Sequence, residues 1–178
     1  VPKLISKPLK DKIKCEAIFV SCYNYDHNSL YSLPIKPSPN LPDMASVYLY
    51  PSLCLFEGTI VSIGRGTDFP FKCYGHPDIG YGSFAFTPKS IPGASLHPKL
   101  EGENCFGQNL SNYPEVILKE KKLNLLWILE SYKFLSGKNE FFISYFEKLS
   151  GTNVLREQII AQLTEEQIRE SWQADLDI

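Results

Sequence analysis

Apolar and polar positions follow different patterns in the two parts of this chain. Toward the C-terminus, apolar residues recur at helical spacing, as in the stripe of Ile168, Trp172 and Leu176, which is typical of amphipathic helices. The first part has short β-branched and aromatic runs separated by glycine and proline, which favours short strands and loops. The pattern predicts an α+β fold, with a small mixed β-sheet, long ordered loops and a C-terminal cluster of α-helices.

Several apolar runs before residue 114 have the composition of strands. Strands are predicted over Cys15–Cys22, Thr59–Gly64 and Phe69–Tyr74. The last two are a candidate hairpin, because a glycine-rich loop joins them. A further short strand is expected near Asn104–Leu110. The rest of residues 75–114 has little periodicity, which predicts ordered loops of functional importance.

Capping residues mark where helices begin and end. Asp43 is predicted to cap a helix over Met44–Tyr50, and Pro51 is expected to end it or to start a second short helix. Gly58 is expected to close the next turn in the left-handed conformation.

The C-terminal helices have similar signals. Asn124 is predicted to cap a helix over Leu125–Leu135, which Gly137 ends. Two shorter helices are expected to follow. A capping box over Thr164–Gln167 then starts the last helix, whose apolar stripe should be buried.

The length of 178 residues suits a single domain with its own core. Residues 1–14 are expected to form a lead-in segment and residues 15–178 one domain. Four prolines between positions 34 and 42 predict a stiff, extended arm within it. Since the last predicted helix is barely complete at Ile178, we expect the chain to be part of a longer protein.

Composition excludes several classes of function. The net charge of −2 provides no polycationic surface for nucleic acid, and no apolar run approaches the roughly 18 residues of a membrane span. The five cysteines lack C-x-x-C spacing and lie among apolar residues, which favours buried thiols. The three histidines are scattered. The sequence therefore predicts neither a metal site nor a cofactor.

Arg65 is the strongest candidate for ligand contact. It stands between Gly64 and Gly66 and is the one arginine before residue 156. Its planar guanidinium can bind a carboxylate or phosphate through two hydrogen bonds, and flanking glycines allow close approach of a ligand. The alternative is a structural arginine that holds the loop to Glu57 or Asp68. Walker and dinucleotide-binding spacings are absent, so nucleotide binding is weakly supported.

Glu57 and Asp68 are the candidate acid and base. Glycoside hydrolysis uses two carboxylates whose separation sets the stereochemical outcome, although either residue could simply be solvated. Tyr25 and His27 belong to a polar and aromatic cluster, Tyr23–His27, which is typical either of a sugar-binding cleft or of an exposed turn.

Three sequence strings resemble a known bacterial family. PSPNLP (Pro37–Pro42), YPSLCLFEGT (Tyr50–Thr59) and GRGTDFPF (Gly64–Phe71), the last followed by GHP (Gly75–Pro77), are similar to segments of DUF1343 proteins. Some of these are NamZ-like exo-β-N-acetylmuramidases. The resemblance runs from about Cys15 to the end of the chain and corresponds to the C-terminal domain of the family.

This resemblance implies a partner and a substrate. The partner would be an N-terminal Rossmann-like domain that carries the principal catalytic groups, so this chain alone is expected to be inactive. The substrate would be N-acetylmuramic acid at the non-reducing end of peptidoglycan fragments, with Arg65 binding its lactyl carboxylate. Side chains expected to contact hydroxyl and amide groups are Thr67, Asn40, Tyr25 and His27. The full-length protein would be exported to the periplasm or outside the cell, and a cytoplasmic location stays open.

Two other functions remain open at this point. One is a non-catalytic domain that binds carbohydrate or peptidoglycan. The other is a structural interaction domain whose glycine loop packs on a partner.

Overall fold

The structure, a computed structural model, describes residues 18, 20–26, 28–137 and 140–176. Its backbone contacts divide the chain into two units, Val1–Ser32 and Leu33–Ile178. The predicted boundary after residue 14 lies outside the described residues, as does most of the predicted strand Cys15–Cys22. The described part of that strand, residues 18 and 20–22, is exposed and irregular.

Asp26 stabilises a turn in the first unit. Asp26 accepts hydrogen bonds at its Oδ1 from the backbone N–H of Asn28 and the hydroxyl of Ser29, at 2.9 and 2.8 Å. This is the local turn geometry that aspartate favours.

The second unit combines helices with one small sheet. Its helices are α1 (Met44–Leu53), a 3₁₀ helix (Cys54–Gly58), α2 (Pro114–Glu120), α3 (Leu126–Leu135), α4 (Phe146–Ser150), α5 (Val154–Ile160) and α6 (Glu165–Leu176). Its strands are β1 (Cys73–His76), β2 (Phe84–Phe86) and β3 (Cys105–Asn109). The α+β class and the C-terminal cluster of helices are confirmed. Within the described residues, no helix is both long and apolar enough to span a membrane.

The sheet has the order β1-β3-β2, and both pairings are antiparallel. The expectation of mixed strand directions is therefore corrected: no helix connects these strands, and parallel neighbours need a long crossover connection. β3 confirms the strand expected near Asn104–Leu110, whereas β2 was not predicted. At the centre, Gly107 faces Gly75, and a Cβ on Gly107 would collide with the carbonyl oxygen of Tyr74.

Helix α1 starts as predicted but ends later. The Asp43 carboxylate accepts from the N–H of Ser46 at 2.9 Å, which confirms the cap. The expectation that Pro51 ends the helix is wrong, since α1 continues through it to Leu53. A proline this close to the end removes one helical hydrogen bond rather than a whole turn of them.

The predicted hairpin strands are wrong, although the segments before and after the glycine loop do pair at one position. Ser62 and Gly75 exchange backbone hydrogen bonds of 2.9 Å, while the rest of Thr59–Gly64 forms no strand. Residues 70–72 form a turn with Phe71 at φ 53°, so the second strand begins only at Cys73. Left-handed φ at an aromatic residue interrupts extended pairing.

The ends of the last helices follow the sequence closely. Asn124 accepts from the N–H of Trp127 at 3.3 Å, and Thr164 and Gln167 form the predicted capping box. Ile168 is fully buried, but Leu176 is 71% exposed. The predicted stripe is therefore wrong at its C-terminal end, where no described element covers α6. Helix α2, which was not predicted, has no buried residue.

Two of the cysteines match the expectation of buried thiols. Cys73 and Cys105 are fully buried on neighbouring strands, and burial raises the pKa of the Cys105 thiol to about 12. Cys54 is half-buried and Cys22 is exposed, whereas Cys15 lies outside the described residues.

Gly58 is required by packing rather than by its backbone conformation. The expected left-handed conformation is wrong, because Gly58 is not among the residues with positive φ. A Cβ at this position would instead collide with the backbone of Phe146 at the start of α4. The neighbouring residues 58–60 pair with residues 141–143, through Ile60 N–H to Phe141 O at 3.0 Å and Ile143 N–H to Gly58 O at 2.9 Å.

Replacing Gly58 with alanine should therefore destabilise the protein by about 1–3 kcal/mol, the usual range for overpacking. Gly80→Ala is the matched control, since a Cβ there meets nothing within 4 Å. Denaturant unfolding measures both changes. Equal midpoints for the two variants would show that the contact between Gly58 and Phe146 does not limit packing.

Candidate functional site

Glu57 and Arg65 form an ion pair between the 3₁₀ helix and the glycine loop. The Arg65 Nη2 donates to the Glu57 Oε2 at 3.0 Å, and the two side chains are 35% and 23% exposed. The Arg65 guanidinium also lies 5.1 Å from the ring centroid of Phe71. The alternative in which Arg65 holds its loop to Glu57 thus describes one of its contacts, and part of the guanidinium remains open to solvent.

The loop that carries Arg65 is held by its own backbone and by Thr67. Gly64 and Gly66 have φ values of 75° and 79°, which L-residues rarely adopt. The Thr67 hydroxyl donates to Gly64 O at 2.6 Å and accepts from the N–H of Phe69 at 3.0 Å. Since its donor proton is already used within the loop, Thr67 supports the position of Arg65 rather than offering a free donor.

Lys99 is a central residue of this site that the sequence did not reveal. Its ammonium donates to the carbonyl oxygens of Phe56 and Val61 at 3.1 and 3.2 Å. It also donates to Thr59 O at shorter range, and Glu57 O, at 3.5 Å, shares one of the three ammonium protons with these acceptors. Burial lowers the pKa of Lys99 to about 8. A single lysine in an irregular loop has no sequence signature, because its acceptors lie about forty residues earlier in the chain.

A small cavity joins these three charged residues. It has a volume of about 90 Å³ and is lined by Glu57, Val61, Ser62, Ile63, Arg65 and Lys99. Two cations against one carboxylate give the lining a net charge of +1 below the pKa of Lys99. The Arg65 Nε is buried and donates to no described residue. The cavity could hold about three waters, at roughly 30 Å³ each, or one carboxylate, but not a sugar ring.

The other predicted site residues are not all brought to this cavity. Asp68 is exposed on the loop and does not line it. Asn40 is buried, and its amide donates to Ala94 O at 2.9 Å, so it supports another loop. Tyr25 is exposed in the first unit, and His27 lies outside the described residues. The ligand-binding roles of these residues stay predictions.

Two carboxylates do not face each other in this cavity. Glu57 lines it and Asp68 does not, whereas glycoside hydrolysis places a pair of carboxylates on either side of the scissile bond. Among the described residues, no cluster of three or more His, Cys, Asp or Glu side chains could hold a metal ion. The arrangement can bind an anionic group, and a reaction would need a further catalytic group.

The comparisons with known proteins identify the family. Its model, "Exo-beta-N-acetylmuramidase NamZ, C-terminal", matches residues 48–178. The chain belongs to the NamZ C-terminal family. The matched region contains Glu57, Arg65, Asp68 and Lys99, and the predicted site residues before position 48 lie outside it. The resemblance to DUF1343 proteins is confirmed.

Individual relatives agree with this assignment. The chain is 32% identical over 153 residues to the peptidoglycan β-N-acetylmuramidase NamZ of Bacillus subtilis (strain 168), an alignment that covers 80% of this chain and 37% of the relative. It is 45% identical to a DUF1343 family protein from Bacteroides fragilis NCTC 9343, whose crystal structure matches with a TM-score of 0.81 over 86% of this chain and 43% of that one. The chain thus spans less than half the length of these relatives.

Replacing Lys99 with methionine should destabilise the protein by about 1–3 kcal/mol, because buried carbonyl groups lose their donor. Lys89→Met is the matched control, since Lys89 is exposed, and it should change stability by no more than about 0.5 kcal/mol. Denaturant unfolding distinguishes the two. A Lys99→Met protein as stable as the Lys89→Met protein would argue against a structural role for the ammonium.

Proposed function

We propose that this chain is the C-terminal domain of a peptidoglycan-processing glycoside hydrolase that removes N-acetylmuramic acid from the non-reducing end of glycan fragments. The main support for this proposal is the cavity lined by Glu57, Arg65 and Lys99, which lies in the region matched to the NamZ family. Its net positive charge and its small volume suit a single carboxylate. Muramic acid differs from glucosamine by a lactyl ether that ends in a carboxylate.

In this proposal Arg65 makes the principal contact with the lactyl group. Its side chain is 35% exposed, and one side of its guanidinium is held by Glu57, so the fork is oriented before ligand arrives. Charge-assisted hydrogen bonds of this kind are roughly twice as strong as neutral ones. Lys99 adds a second positive charge, and the sugar ring stays outside the cavity, which is too small for it.

Catalysis is then shared between domains. Glu57 is the one carboxylate that lines the cavity, and hydrolysis needs a second. We assign this second group, and the rest of the cleft, to an N-terminal Rossmann-like domain in the full-length protein. Asp68 is exposed and Thr67 half-buried on the loop, and in this proposal the loop faces that domain. A protein with this substrate would act outside the cytoplasm, in the periplasm or beyond the cell.

A second candidate function is binding without catalysis. The cavity's single carboxylate favours it, because such a site can hold a muramyl group and leave its glycosidic bond intact. Turnover of a chromogenic muramide by the full-length protein would support the hydrolase. Saturable binding without turnover would support the binding domain.

Arg65→Ala in the full-length protein should reduce kcat/KM for muramyl substrates by about 10- to 100-fold, since a hydrogen bond between charged groups contributes about 1.5–3 kcal/mol. The loss for a glucosaminyl analogue, which has no lactyl carboxylate, should be much smaller. Arg65→Lys keeps the charge but loses the planar pair of donors. Its kcat/KM for muramyl substrates should therefore lie between those of the unchanged protein and Arg65→Ala. Equal losses for both substrates would show that Arg65 has only a structural role.

Binding of N-acetylmuramic acid should weaken as pH rises through about 8. Burial lowers the pKa of Lys99 to about 8, so the ammonium loses its proton in this range and the net charge of the lining falls from +1 to zero. Isothermal titration at pH 6.5 and 9 should show a loss of several-fold for N-acetylmuramic acid. N-acetylglucosamine, which is neutral, serves as the control ligand. A pH profile that is the same for both sugars would exclude Lys99 as part of the anion site.

A further inference from the structure

A second and larger cavity lies among the C-terminal helices of the second unit. Its volume is about 510 Å³, and residues from α3, α4, α5 and the segment 140–144 line it. This is within the roughly 300–1,000 Å³ that small-molecule sites occupy. The volume is sufficient for a sugar ring, which the 90 Å³ cavity is not.

One wall of the large cavity is aromatic. The rings of Tyr132 and Phe142 are stacked, with centroids 5.6 Å apart and an interplanar angle of 29°. Both side chains are only partly buried, although they pack against the core. Aromatic rings that remain accessible combine a large apolar surface with a negative face that attracts polarised C–H groups, such as those on one face of a pyranose ring.

The lining also contains polar side chains and an ion pair. Arg156 Nη2 donates to Glu147 Oε1 at 2.7 Å, and the Arg156 Nε is buried with no acceptor among the described residues. Ser144, at the exposed edge, contributes a hydroxyl. The ion pair is neutral overall, and Glu140 adds a negative charge to the lining. Anionic ligands are therefore disfavoured, and the hydroxyl, carboxylate and guanidinium groups of the lining can bond the hydroxyl or amide groups of a neutral ligand.

The large cavity is connected through the backbone to the segment that carries Glu57. Residues 141–143, which line it, pair with residues 58–60 immediately after Glu57. The two cavities thus lie on hydrogen-bonded segments of one unit, and each suits a different chemical group. One has a positive lining with the volume of a carboxylate, and the other has aromatic and hydrogen-bonding walls with the volume of a sugar.

We propose that the cavity between Tyr132, Phe142 and the Glu147–Arg156 pair is a second saccharide site, which binds a neutral N-acetylhexosamine. The aromatic rings contact the apolar face of the sugar, and the Arg156 guanidinium, which is partly exposed, bonds its hydroxyl and acetamido groups together with the Glu147 carboxylate and Ser144. The choice of an amino sugar as the ligand rests on the proposed function. The broader choice of a neutral ligand with several hydroxyl groups rests on the residues that line the cavity.

The test uses the full-length protein and N,N′-diacetylchitobiose, which has no carboxylate. Ser144→Trp and Ile160→Trp fill the cavity from two different elements, and both positions are exposed, so neither change disturbs the core. Each should weaken binding at least tenfold by isothermal titration. Ser90→Trp, at an exposed position in another loop, is the matched control and should bind within twofold of the unchanged protein. Thermal melts confirm that each variant is folded.

The outcomes separate this site from the Arg65 cavity. Arg65→Ala should leave chitobiose affinity within twofold while it impairs muramyl substrates. If the unchanged protein does not bind chitobiose, or if both filling variants bind it as well as the Ser90→Trp protein does, the second site is excluded. A third outcome separates the two proposals. If the filling variants lose chitobiose binding but the unchanged protein does not turn over muramyl substrates, the proposed function is overturned and the second site is still supported.

Discussion

The ammonium of Lys99 holds the segment on which both cavities depend. Its four carbonyl acceptors all lie between Phe56 and Val61, where the chain leaves the 3₁₀ helix without forming a regular strand. Phe56 O also accepts from the N–H and the hydroxyl of Thr59, whereas a buried carbonyl oxygen left without any donor is costly. The same segment positions Glu57 on one side and pairs with residues 141–143 on the other. A single buried cation thereby organises the local backbone.

The charges around Lys99 explain why the site is suited to an anion. Glu57 alone would repel a carboxylate, but Arg65 and Lys99 together exceed its charge. Burial strengthens these interactions because the surrounding dielectric is low. The compact glycine loop brings the guanidinium close, and Phe71 covers one side of it. The result is a partly exposed site with the dimensions of a functional group rather than of a whole substrate.

The proposal that a second domain completes the site rests on these dimensions. The chain spans 37% of the length of its muramidase relative and 43% of the length of its structural relative. A cavity of about 90 Å³ can recognise one distinguishing group, while the ring and the scissile bond need surfaces on both sides. The larger cavity near α4 and α5 would extend recognition along the glycan on this side.

Local sequence features were sufficient to predict the α+β class, the family, the Asp43 cap, the capping box at Thr164 and the proximity of Glu57 and Arg65. These depend on local hydrogen bonds, helical periodicity and motif strings, all of which lie within a few consecutive residues. Tertiary structure alone decided the role of Lys99, the collision that requires glycine at position 58, the structural use of Asn40 and the exposure of Leu176. Each of these depends on whether a segment distant in the sequence packs against the residue. Local propensity does not predict such long-range contacts.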